Sequence, residues 1–265
     1  MAQNDPASVG SIATLEGTVE IGRTGTWSAG AIGSAIHSAD QIRTGTPGRA
    51  RIVFRDDSVL NVGDGSLLTI DESVFVPAEG TARFLMHLIT GKVRALVSDY
   101  YQGSLASYRI ETTTAISAVR GTEFVVAYDD AAQSTEVLGV SGTVAVHSVL
   151  DKKAHGIDIT ALTLTKVAKG AFPTPPRVIR PGDDDYRRLM ASVDFAGAGE
   201  PESIAALDPI MDGAAPGPTG ASQPLGLEMP PAVDAGPDVP SRTPGDAIGQ
   251  PVPPLLGSGD LKINF

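Results

Sequence analysis

His37, His87, His147 and His155 are the only histidines of the 265-residue chain, and no HExxH-type or i, i+4 pairing gathers them for zinc. The serines sit in no Gly-x-Ser-x-Gly elbow, so no strand-to-helix turn presents a nucleophile. Thr44-Gly45-Thr46-Pro47-Gly48 lacks the lysine and the following helix of a phosphate-binding loop. Asp56-Asp57, Asp129-Asp130 and Asp183-Asp184-Asp185 could offer oxygen ligands to a hard cation such as calcium. None of them has EF-hand or Gly-Asp repeat spacing, and turn and helix-cap duty accounts for them. Cysteine is absent, which removes thiolate nucleophiles, disulfides, Cys-ligated zinc and iron–sulfur clusters. The expectation is a protein with no catalytic residues, no metal and no cofactor.

The elements that must position these residues read as strands. From Val9 to Val167 short apolar alternations are bounded by glycine or Asp/Asn/Ser turns, and helical periodicity is nearly missing. In Ala50-Arg51-Ile52-Val53-Phe54 the apolar Ala50, Ile52 and Phe54 share one face while Arg51 takes the other, the pattern of a half-buried strand. A weak repeat runs through Gly17-Thr18-Val19, Gly91-Lys92-Val93 and Gly142-Thr143-Val144. Strands so brief suit an all-β fold, specifically a β-solenoid or flattened β-roll, with a β-sandwich as the competing architecture.

The expected boundaries are a free N-terminus over 1–8, the β domain over 9–170, a Pro-rich connection with one short helix over 171–196, a linker over 197–259 and a C-terminal strand over 260–265. Pro173, Pro175 and Pro176 end the sheet pattern, because proline cannot donate to a ladder. Asp183 to Val193 reads as the helix, with acids at its positive end. The linker is rich in proline and glycine and has no aromatic residue, so it cannot build a core. A formal net charge of −11 disfavours nucleic acid as a partner, and no apolar run reaches the length of a membrane helix.

Ile116-Ser117-Ala118-Val119-Arg120-Gly121-Thr122-Glu123-Phe124-Val125-Val126 resembles the hallmark of the FecR domain, in which an aliphatic strand runs into Arg-Gly-Thr-x-Phe and a further strand. The other landmarks stand in order: Gly17-Thr18-Val19, Asp40 to Gly45, Arg49 to Phe54, Asp57 to Leu60, Gly91-Lys92-Val93 and Gly142 to Val146. The resemblance spans Val9 to Val146. It implies the fold and an envelope location, since related regulatory proteins carry the domain on the periplasmic side of an inner-membrane protein behind a cytoplasmic anti-sigma segment. No such segment or membrane span precedes Leu15, which sets the signalling role in question. Within the motif Arg120, Gly121, Thr122 and Phe124, together with Arg43, Thr44 and Gly45, read as turn and corner residues, with Thr122 bonding the turn and Phe124 returning to the core.

Ala2-Gln3 reads like the end left by a signal peptidase, so export to the periplasm or cell exterior is expected. Leu261, Ile263 and Phe265 alternate on one face of a terminal strand beyond the linker. The expectation is an exported structural or adaptor protein that binds other proteins, itself or an envelope partner, through strand addition by Leu261 to Phe265. The alternative is a FecR-type ligand-sensing or signal-transduction module working with a separate membrane partner.

Overall fold

The structure is a computed structural model and describes residues 8–102, 106–119, 121–150 and 156–195. The chain divides into Met1–Ala205 and Ala206–Phe265, and the described residues all lie in the first unit. The linker and the terminal strand expected at Leu261, Ile263 and Phe265 lie outside them.

Among the described residues the elements are β1 (Gly10–Arg23), β2 (Thr26–Ala29), β3 (Ala35–Ile36), β4 (Gln41–Phe54), β5 (Val59–Val62), β6 (Leu67–Val76), β7 (Thr81–Leu96) and β8 (Ala106–Glu111). They continue with β9 (Ala115–Val119), β10 (Glu123–Asp129), β11 (Ser134–Ser141), β12 (Thr143–Ser148), β13 (Ile157–Thr160), β14 (Thr163–Ala168), β15 (Arg177–Val178) and one helix, α1 (Asp184–Met190). The fold is all-β. Three of its strands, β1, β4 and β7, are much longer than the rest, and each serves two layers. The first half of β1 pairs with the second half of β4, which continues through β5 to the second half of β7 and on to β10, β11, β14 and β15. The second half of β1 pairs with the first half of β4, which continues through β6 to the first half of β7 and on to β8, β9, β12 and β13. One sheet thus folds over on itself, and the inward side chains of both layers make a single aliphatic and aromatic core. Phe54 of the first layer meets Phe84 of the second edge-on, with ring centroids 4.9 Å apart.

Every pairing is antiparallel except β7 with β8. The expected stacking of short solenoid rungs is not confirmed: the layers are joined by long strands that bend, not by a winding chain of brief ones. The weak glycine repeat now has a physical meaning. Gly17, Gly91 and Gly142 have φ of +65°, +89° and +71°, and each stands where the chain passes from one layer to the other. Gly91 shows why the residue type is needed, because a Cβ there would lie 2.3 Å from the Ser66 hydroxyl and 2.5 Å from its Cα. The bend also resets the alternation. Ala82, Phe84, Met86 and Leu88 face the core before it, Val93 and Ala95 after it.

Helix α1 packs on the outer side of the first layer, where Leu189 and Met190, with Val193 beyond the helix, cover Val125, Leu138 and Leu164. The acids Asp184 and Asp185 open it and the basic Arg187 and Arg188 close it, matching its dipole. No helix among the described residues is long and apolar enough to cross a membrane.

Candidate functional site

The motif lies at one end of the folded sheet, between β9 and β10. Its arginine, Arg120, falls outside the described residues. Gly121 has φ +63°, and a Cβ on it would press within 3.1 Å of Asp99 Oδ1 and 3.0 Å of Gln102 Nε2, so the turn lies tight against the 3₁₀ segment Asp99–Gln102. Thr122 is buried, and its backbone carbonyl accepts a hydrogen bond from Val97 N at 2.9 Å. Its hydroxyl bonds nothing and so does not tie the turn; its methyl instead packs where a Cβ on Gly142 would stand, 2.5 Å away. Phe124 is fully buried.

Beneath the 3₁₀ segment is a cluster that the sequence did not reveal. Asp56 is buried; one oxygen accepts from Ser58 N at 2.9 Å and the other from the Tyr101 hydroxyl. Tyr108 stacks on Phe84 with centroids 4.4 Å apart and meets Tyr101 edge-on at 5.2 Å. Burial, then the Asp56 charge, then its hydrogen bond push the Tyr101 hydroxyl far above the ordinary tyrosine range. Burial and the same charge push Tyr108 up, although its hydroxyl has no partner. A carboxylate with both oxygens engaged, facing tyrosines that hold their protons, is suited to bracing a corner and not to proton transfer. The turn chemistry expected of Asp56-Asp57 is present in both: Asp57 takes φ +64° and Asp56 accepts from Ser58 N, while the other Asp56 oxygen points inward to Tyr101. Only the spacing of an acid and a distant tyrosine separates them in the sequence, and that carries no signal.

Outside this cluster a groove of about 470 Å³ opens between Val9, Arg55 and Asp56 on one side and Val74, Phe75 and Pro77 on the other. Tyr100, half-exposed, stands edge-on to Phe75 at 4.9 Å. The groove thus has an aromatic pair and one arginine beside it.

Arg43, Thr44 and Gly45 belong to the opposite end, where β1, β4 and β7 bend. The Thr44 hydroxyl donates to Gly63 O at 2.6 Å and accepts from Ser66 N at 2.9 Å, and Gly65 N donates to Gly45 O at 2.9 Å. Arg43 points outward to Glu20 at 2.7 Å and lies over Trp27, 4.4 Å from the ring centroid. Nearby, Asp40 is buried and receives Arg23 at 2.8 and 2.7 Å and His37 N at 2.8 Å. Burial pushes the Asp40 carboxyl up, but these donors outweigh it and hold it below the usual range. The remaining histidines are apart: His87 lies between Asp71 at 2.5 Å and Glu111 at 3.4 Å, His147 Nδ1 is buried without a partner, and His155 is outside the described residues. Among the described residues no three His, Asp or Glu side chains are grouped as a metal would require.

The family model described as FecR protein matches residues 40–145, from the buried Asp40 through both bends to β12. This stretch is a FecR domain. The chain also matches two crystal structures, at 1.65 and 2.50 Å resolution, of a proposed anti-sigma factor from Parabacteroides distasonis ATCC 8503. Identity is 14% in both, the TM-scores are 0.42 and 0.43, and the match covers 52% of this chain and 59% of those, so this chain spans about three fifths of their length. No curated protein matches. The FecR match takes in Thr44, Gly45, Gly121 and Thr122, where the chain passes between the two layers, and the core residue Phe124.

Proposed function

We propose that the chain is a FecR-type sensing and signal-transduction module of the cell envelope, acting by binding a protein partner and not by catalysis. The observation that carries this is the FecR domain itself, with its Gly-Thr-x-Phe corner tight against a segment that exposes Tyr100. The inward-facing ionisable groups support a non-catalytic reading, since Asp40 and Asp56 are spent on holding loops. The envelope location follows the family resemblance. The separate idea of a self-assembling structural protein rests on Leu261, Ile263 and Phe265 and gains nothing from the described fold.

The test is transcriptional. Raising and removing the chain in its native host should change a defined set of transcripts in opposite directions, and Phe75→Ala with Tyr100→Ala should abolish the response while the circular-dichroism spectrum stays the same. An identical transcript profile with and without the chain would remove the signalling reading.

A further inference from the structure

The outer side of the first layer is divided along one row of paired residues. Arg51, Asn61 and Arg94 face outward on β4, β5 and β7, and the same row continues through Val125, Leu138 and Leu164. Helix α1 covers the apolar half. The cationic half, to which β4 adds Arg49, is covered by the few residues that follow the helix.

Those residues are held in an unusual way for a piece of core. Phe195 is 3% exposed, yet its ring lies under two guanidinium groups, 4.8 Å from Arg49 and 5.0 Å from Arg51. Arg94 pairs with the Asp194 carboxylate at 3.1 Å, Arg49 donates to Asp194 O at 3.1 Å, and Asn61 donates to Val193 O at 3.0 Å. Ser192 Oγ accepts from Asp64 N at 3.1 Å. The backbone N–H groups of Val193 and Asp194 return to Met190 O of the helix, at 3.2 and 3.0 Å, and join no strand. Apart from Asp64 N, the sheet holds the segment through side chains, so it can leave without opening a ladder.

The arginines are also only partly neutralised by the sheet. Arg49 has Glu16 at 2.7 Å and Arg94 has Glu123, but Arg51 bonds the neutral Asn61 at 3.1 Å and forms no ion pair among the described residues. Burial and the neighbouring Arg94 disfavour its charge, and Asp194 offsets them only in part. Guanidinium groups held side by side on one sheet face, meeting a carboxylate and a ring, form a receptor for both.

We infer that the face formed by Arg49, Arg51, Asn61 and Arg94 is a recognition site for a short segment carrying an acidic residue next to an aromatic one, and that Asp194-Phe195 of the same chain is its resident occupant. A segment tethered in this way acts at an effective concentration in the millimolar range, so a partner's segment of the same chemistry gains the site only when the resident leaves. Exchange at this face would couple partner binding to release of Asp194-Phe195. The competing partner depends on the binding-module reading above; the site and its occupant do not.

Fluorescence anisotropy with a labelled synthetic peptide copying Ala191 to Phe195 tests the site on the full-length chain. The Asp194→Ala, Phe195→Ala chain should bind the peptide about ten-fold more tightly than wild type, and adding Arg51→Ala should remove most of that gain. Equal binding to the wild-type and double-variant chains, or no binding to a double variant with a wild-type circular-dichroism spectrum, would overturn the inference. If the double variant does not fold, hydrogen exchange on the wild type decides. Raising salt to about 0.5 M should deprotect Val193 and Asp194 while β7 stays protected; unchanged protection there rejects a side-chain-held occupant. Neither measurement depends on the transcript response, so the two readings fail separately.

Discussion

Tyr101 and Tyr108 are neighbours in the core with opposite hydrogen-bonding fates, and they separate burial from bonding at a single site. The Tyr101 hydroxyl satisfies one oxygen of the buried Asp56, whereas the Tyr108 hydroxyl is buried without a partner. Tyr101→Phe should cost roughly 2–3 kcal/mol in a urea titration, because it strands a buried carboxylate. Tyr108→Phe should be neutral or slightly stabilising in the same assay, because it removes an unpaired polar atom. Asp40 gives a pH signature. Its carboxyl is held below its ordinary value of 3.8, so its contribution to stability is complete above that value and is lost as pH falls through the lower folded-state value. Asp40→Asn should thus destabilise by roughly 2 kcal/mol at neutral pH, and the gap from wild type should close on acidification below that point. A gap that persists unchanged at low pH would show that shape, not charge, holds the His37–Asp40 turn. None of these pairings was legible in the sequence, since Arg23 with Asp40, and Asp56 with Tyr101, are joined only by the way distant strands meet.

At the scale of elements, the strands were legible because alternation is a local property. Ala50, Ile52 and Phe54 face inward as their spacing requires. The lengths were not legible. Arg43, Thr44 and Gly45 read as turn residues, whereas they lie within one element, β4, that is carried through a bend with β1 paired along both of its halves. The glycine repeat was visible, but its meaning depended on knowing that Gly17, Gly91 and Gly142 all mark crossings between layers. That meaning can be checked by contrast. Gly91→Ala should cost roughly 3 kcal/mol or more, combining a left-handed backbone with a clash against the Ser66 backbone. Gly25→Ala, at φ +82° but with nothing within 4 Å, should cost only about 1 kcal/mol by thermal denaturation. Equal losses would mean that conformation alone, and not the approach of Ser66, selects glycine at the bend.

For the molecule as a whole, the sequence conveyed the FecR domain and its corner motif, but neither the folding-over of one sheet nor the arginine-lined face. The reason lies in distance along the chain. The recognition face draws Arg49 and Arg51 from β4, Arg94 from β7 and Phe195 from beyond the helix, and each of them alone is an ordinary strand arginine or a stray aromatic. The groove beside Phe75 and Tyr100 was equally silent, for it depends on the 3₁₀ segment being pulled down by Asp56. Function at this scale rests on surfaces that no continuous stretch encodes.

The passage of β7 through both layers has one more outcome. Since the facing of Ala82 to Leu88 and of Val93 to Ala95 is set along one uninterrupted ribbon, with the switch of phase at Gly91, a residue gained or lost between Leu88 and Val93 would turn one half inside out relative to the other. Hairpin tips such as Thr24-Gly25 can lengthen freely over generations, while that short run is a ruler that descendants must copy to the residue.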